Sequence, residues 1–223
     1  MKIRGILMLI SFFGILAVIF SPIFPGKNNG LDYMDNLFNT ISKGSSYFIP
    51  KAMTDSEKFV GKNIDLKIKM ENEQQATDTA KLLQEAGAQV QVTGKELAVK
   101  GDAGHILKSC LTDADFMFKN DGKPIADKYG FSERKALYDW WVAFKAIGNE
   151  LTVQSNFELV KSFSNVQKKA LEPAYNYYNI EAKSWEKNIF LIVCALGFYV
   201  FYTLWYGFGL LYLFEGIGLK IGH

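Results

Sequence analysis

The stretch IFLIVCALGFYVFYTLWYGFGLLYLF, residues 189–214, decides the architecture of this chain. It runs for 26 positions without a charged side chain. At 1.5 Å per residue, a helix of that length exceeds the ~30 Å hydrocarbon core of a bilayer and spans it with some tilt. A counterpart lies near the other end: ILMLISFFGILAVIFSPIF, residues 6–24, preceded by Lys2 and Arg4. The same basic start and apolar core occur in cleaved signal peptides. The exit here, Ile19 to Phe24, lacks the small-x-small pattern of a cleavage site, so an uncleaved signal-anchor is expected.

The totals agree with that reading. A mean hydropathy of +0.02 coexists with 22% charged residues only because the two classes are segregated along the chain. Residues 25–187 hold 22 of the 25 Lys and Arg and 22 of the 23 Asp and Glu, so the middle of the chain is formally neutral. A neutral, mixed-charge domain offers no electrostatic case for nucleic acid.

Two cysteines, Cys110 and Cys194, fall in the polar and apolar parts respectively, and no CxxC or paired Cys/His spacing exists. A disulfide between them, a zinc site and covalent haem are therefore not expected. The two histidines, His105 and His223, are far apart. No metal and no cofactor of the chain's own is expected.

The second apolar stretch is rich in aromatic residues. Tyr199, Tyr202 and Tyr206 fall near its middle, although aromatics normally gather at the two membrane interfaces. A phenol in hydrocarbon requires a hydrogen-bond partner. Gly197, Gly207 and Gly209 allow close backbone approach, although their spacing is not GxxxG. Packing on a partner helix is preferred over plain lipid contact, and over contact with a quinone or haem held by a partner. The candidate intramembrane contacts are Gly197, Tyr199, Tyr202, Trp205, Tyr206, Gly207 and Gly209.

Lys2 and Arg4 place the N-terminus on the cytoplasmic side by the positive-inside rule, and two spans return the C-terminus there, where Lys220 is the late positive charge. Lys183 and Lys187 sit on the opposite side and weaken the asymmetry. The central domain is then extracytoplasmic, periplasmic in a bacterial inner membrane.

Between the spans the periods change. Leu31, Met34, Leu37, Phe38 and Ile41 recur at helical spacing, giving a short amphipathic helix, with Ser42–Pro50 as a linker. Its polar face carries Asp32 and Asp35 and lacks the basic residues of a typical lipid-binding helix. Ile64, Leu66, Ile68 and Met70 alternate with charged residues as a half-buried strand. A helix over 72–86, capped by Asn72 and stopped by Gly87, comes next. Strands over 89–93 and 96–100 flank Gly94, and a helix capped by Asp102 follows. This β-α-β-β-α order resembles most of a ferredoxin-like sandwich, in architecture alone.

Beyond Asp121-Gly122 the pattern is helical. One helix carries Ala136, Leu137, Trp140, Trp141, Phe144 and Ile147 and closes near Gly148. A second runs from about Thr152 to Leu171. The stripe continues through Tyr175, Tyr178, Ala182 and Trp185, which predicts one continuous helix of about 40 residues entering the membrane, stiffly linked to the domain. Pro173 marks a break or kink in it.

The fold class expected is an α+β membrane protein, two transmembrane helices flanking an extracytoplasmic β-α-β-β-α unit and a long-helix hairpin. The divisions are a cytoplasmic 1–5, a first span 6–24, a juxtamembrane helix and linker 25–61, a small α+β unit 62–121, a helical segment 122–187, a second span 188–214 and a cytoplasmic 215–223.

Chemistry is sparse. Nucleophile-elbow, phosphate-loop, dinucleotide, zinc-protease and calcium-loop signatures are absent. Asp102 and His105 read as a cap and its helix start, not as an acid–base pair. Asp113 and Asp115, two apart on a helix, point in different directions. Trp140 and Trp141 cannot both face one core: one ring is expected buried and the other partly exposed or at an interface, with a core role for both as the alternative, and the pair is nominated as a candidate extracytoplasmic interface. No output domain is expected in flanks as short as 1–5 and 215–223, so a sensor would be expected to signal through another membrane protein. The function expected is a non-catalytic accessory or structural subunit of a larger membrane complex. The alternative is an extracytoplasmic small-molecule-binding or sensory module.

Overall fold

The computed structural model describes residues 1–219; Lys220, His223 and the side chain of Lys187 lie outside the described residues. The chain is a mixed α+β protein, mostly helical, with one three-stranded sheet and an apolar helix towards each end. In chain order the elements are α1 (Lys2–Ile19), α2 (Gly30–Ser45), α3 (Ile49–Ser56), β1 (Asn63–Lys69), α4 (Glu73–Glu85), β2 (Gln89–Thr93), β3 (Glu96–Asp102), α5 (Ala103–Phe118), α6 (Lys123–Tyr129), α7 (Glu133–Val153), α8 (Phe157–Val166), α9 (Glu172–Asn176) and α10 (Ile189–Gly216). They form two compact units, Met1–Gly44 with the described part of Ala182–His223, and Ser45–Glu181.

In the Ser45–Glu181 unit, β1 alternates as its sequence demands, with Ile64, Leu66 and Ile68 buried and Asp65, Lys67 and Lys69 outward. The sheet order is β1-β3-β2, antiparallel throughout. Leu97 and Val99 of β3 join the inner face, which packs with Ala76, Ala80 and Leu83 of α4 and Ile106, Leu107 and Cys110 of α5. On the outer face the register sets Asp65 opposite Lys100, and the two form a 2.8 Å ion pair. Among the described residues no fourth strand pairs with β1. Instead Gln154 donates its side-chain amide to the Asp65 carbonyl at 3.0 Å, satisfying one group of that edge.

Helix starts follow their caps. Asn72 accepts from the Gln75 N–H at 2.8 Å and Asp102 from the His105 N–H at 2.9 Å. Asp102 also accepts from the Gly61 N–H. Burial alone would raise its carboxyl, but these backbone donors hold it below the ordinary range.

Three sequence expectations fail here. The linker Ser42–Pro50 is largely helical: α2 runs through Ser45, and α3 opens with Pro50 in its first turn, where a missing N–H costs nothing. Gly148 does not close its helix. Nothing lies within 4 Å of where its Cβ would be, and α7 continues to Val153.

The continuous 40-residue helix is also absent. After α8 the ladder widens into a π-turn over Gln167–Leu171, α9 ends at Asn176, and Asn179 takes a left-handed conformation (φ 65°). Asn120 fixes this exit. Its side chain accepts from the Asn179 N–H at 2.9 Å and donates to the Ile180 carbonyl at 3.1 Å. No helix covers residues 177–185, so the stiff helical link inferred from the stripe does not exist.

Candidate functional site

In the unit built from the chain's two ends, α1 and α10 lie antiparallel as a tight hairpin. Gly5 and Gly209 make the close approach possible. A Cβ on Gly5 would stand 2.5 Å from the Leu213 nitrogen, and one on Gly209 would stand 3.2 Å from Leu9. Polar groups of α10 find partners in α1. Tyr202 donates its hydroxyl to the Phe12 carbonyl at 2.8 Å. The Trp205 indole N–H reaches the Met8 carbonyl at 3.2 Å and Ser11 Oγ at 3.1 Å. The Phe12 ring stacks on Tyr202 at 4.2 Å and meets Tyr206 at 4.8 Å.

The structure therefore divides the nominated residues of α10. Tyr202, Trp205, Tyr206 and Gly209 face α1, so the covering helix is the chain's own. Gly197 and Gly207 have nothing within 4 Å of where their Cβ would be, and Tyr199 is 67% exposed. Around Gly197 runs a shallow apolar groove lined by Val193, Leu196, Val200, Phe201 and Leu204. By helical spacing this seam lies about 180° around α10 from Tyr202 and Gly209. The helix has two apolar seams, one covered and one open. The α1 half of the contact, Gly5, Met8, Ser11 and Phe12, lies in the segment expected as a signal-anchor and is not among the residues nominated from the sequence. The signal available was the small and polar pair Gly5 and Ser11.

In the Ser45–Glu181 unit the tryptophan pair divides as well. Trp140 is wholly buried, 0% exposed, which corrects its nomination as an interface residue. Its indole N–H donates to the buried carboxylate of Asp113 at 2.8 Å. Asp113 also accepts from the Tyr129 hydroxyl at 2.5 Å and pairs with Lys128 at 3.4 Å. Burial, then the charge of Asp113, pushes the Tyr129 hydroxyl well above the ordinary tyrosine range. Asp113 joins α5, α6 and α7 through one carboxylate.

A second buried cluster joins α4 to α7. Lys135 bridges Asp139 at 2.6 Å and Asp78 at 2.9 Å, and Gln75 donates to Asp139 at 3.2 Å. Burial raises Asp139 despite these partners. Burial also opposes ionisation of Asp78, but hydrogen bonds from Gln74 and Lys135 outweigh it and lower that group. The carboxylates of both clusters are buried, with the lysines about a third exposed at their edges, and each cluster braces the helices that it joins.

Trp141 is half-buried at the surface. Its N–H donates to Glu172 at 3.1 Å, Lys145 lies 5.4 Å from its ring, and Tyr138 stacks beside it at 6.5 Å. Trp141, Tyr138 and Glu172, with Leu137, Leu171, Tyr175 and Asn176, line an apolar groove of about 270 Å³. The π-turn directly before α9 shapes one wall, a distortion frequent at functional sites.

Among the described residues no three His, Cys, Asp or Glu side chains gather as metal ligands would. No family model matches the chain, and neither a curated protein nor a solved structure does.

Proposed function

We propose that the chain is a non-catalytic subunit of a larger membrane protein complex. In this reading α1 and α10 cross the membrane as a hairpin, and the Ser45–Glu181 unit stands on the extracytoplasmic side, periplasmic if the membrane is a bacterial inner one. The observation that carries the proposal is the second seam of α10. The covered seam already shows what such a surface on this helix does: aromatic residues and glycines admit a neighbouring helix. The open seam repeats the pattern with Gly197 at its centre and receives a helix of another integral membrane subunit. A quinone or haem held by that partner would meet the same face.

Lys2 and Gly216 lie side by side at one end of the hairpin, which supports both termini lying on one side of the bilayer. Lys2 and Arg4 assign that side to the cytoplasm. The groove beside Trp141 supplies an extracytoplasmic contact. At about 270 Å³ it falls below the roughly 300–1,000 Å³ of small-molecule sites. That size suits one or two inserted side chains and favours a protein partner over the alternative of a metabolite-binding module.

Extraction of native membranes in mild detergent, followed by size analysis and identification of co-purifying chains, tests the proposal. A stoichiometric assembly containing other integral membrane proteins is expected. Recovery as a lone 25.2 kDa chain would overturn it.

A further inference from the structure

Helix α2 leaves two large apolar side chains uncovered on one face. Leu31 is 52% exposed and Phe38 39% exposed, and their seven-residue spacing aligns them on the helix surface. Asp35 lies on the same stripe, four residues after Leu31 and three before Phe38, while Asp32 and Asn36 lie further round the helix; all three are exposed. Both ends of α2 are tied to the loop end of the α1–α10 hairpin. At its start, a Cβ on Gly30 would lie 3.0 Å from the Phe24 ring and 3.2 Å from the Ile19 carbonyl, at the end of α1. Near its close, the Thr40 carbonyl accepts from the Lys183 N–H at 3.0 Å, six residues ahead of α10. The same end of the hairpin exposes Phe20, Ile23 and Trp185. Aromatic and apolar side chains in that position form the belt by which membrane helices seat at the headgroup boundary.

We infer that α2 is an interfacial helix that inserts Leu31 and Phe38 into the bilayer surface at the loop end of the hairpin. This rests on the membrane reading of α1 and α10 and adds a second mode of attachment to it. The ligand is a zwitterionic lipid surface. The exposed charges of α2 itself are the carboxylates of Asp32 and Asp35, and its one lysine, Lys43, is buried, so the helix presents no basic face to anionic headgroups. Insertion depends on apolar area and is insensitive to salt.

Spin labels on the full chain in phosphatidylcholine nanodiscs test this. Cys110 is wholly buried and burial pushes its thiol up, so only Cys194 needs removal, as Cys194→Ala. Labels are then placed by Leu31→Cys, Phe38→Cys, Asp32→Cys and Asn36→Cys, with Val200→Cys as a reference on α10. Collisions with oxygen should exceed those with a water-soluble nickel chelate several-fold more at 31 and 38 than at 32 and 36, at low and high salt alike. Equal access of the chelate to all four α2 sites overturns the inference. Protection of 31 and 38 from both reagents also overturns it, because a protein surface then covers them. If Val200→Cys is open to the chelate as well, the membrane reading fails with it. If Val200→Cys reports lipid while 31 and 38 do not, only the interfacial helix fails.

Discussion

The hydroxyl of Tyr202 donates to the main-chain carbonyl of Phe12 at 2.8 Å, while its ring stacks on the Phe12 ring at 4.2 Å. Two residues 190 positions apart thus close the α1–α10 hairpin through polar and aromatic contact at once. Tyr202→Phe keeps the stack and removes the donor. Interhelical hydrogen bonds in membranes average about 0.6 kcal/mol and reach about 1.7. A loss in that range is expected in reversible unfolding of the full chain in mixed micelles, and a gain in stability would contradict the assignment.

Gly5 is required by space, not by backbone conformation. Any side chain there meets the backbone of α10 at Leu213. Gly5→Leu should part the helices, broadening the distance distribution between spin labels at Ile3 and Ile217. Gly14 has open space around its Cβ position, so Gly14→Leu should leave the distribution unchanged.

Asp113 braces the Ser45–Glu181 unit by accepting from Tyr129 and Trp140. Asp113→Ala strands both donors in the core, at about 1–3 kcal/mol for each unsatisfied group. The thermal transition of the full chain, followed by near-ultraviolet circular dichroism, should fall by roughly 10 °C. Trp140→Phe removes one donor and some volume and should cost less than Asp113→Ala.

The pH response should be most distinctive on the alkaline side. Tyr129 is raised by burial and by Asp113. Burial would lower Lys135, but its hydrogen bonds to Asp139 and Asp78 outweigh that and raise it. For both groups the folded value exceeds the unfolded one. Their stabilisation is complete below the ordinary values of 10.0 and 10.5 and declines as pH rises beyond them. Denaturant midpoints should therefore drop steeply above about pH 10, and less steeply in Tyr129→Phe.

The sequence disclosed its elements better than their connections. Alternation in Ile64–Lys69, the Asn72 and Asp102 caps and the uncharged runs at each end were legible because each is a local signal. The break after α9 was not, because it depends on the side chain of Asn120, about 60 residues away, capturing the backbone of Asn179 and Ile180. Trp140 and Trp141 were separable in principle by helical phase. Choosing the buried one required knowing that Asp113, on another helix, would meet its N–H. Among the nominated residues of α10, period alone could not say that Tyr202 and Gly209 face α1 while Gly197 does not.

If the open seam of α10 receives another membrane protein, photo-crosslinking will report it, with p-benzoylphenylalanine replacing Phe201 and the full chain in its native membranes. One discrete adduct is expected, with an integral membrane protein that also co-purifies with the unmodified chain. The same probe at Tyr202 should react within the chain, because that position faces Phe12. Lipid adducts alone at position 201, with no protein adduct, would mean that the seam faces lipid and receives no partner helix.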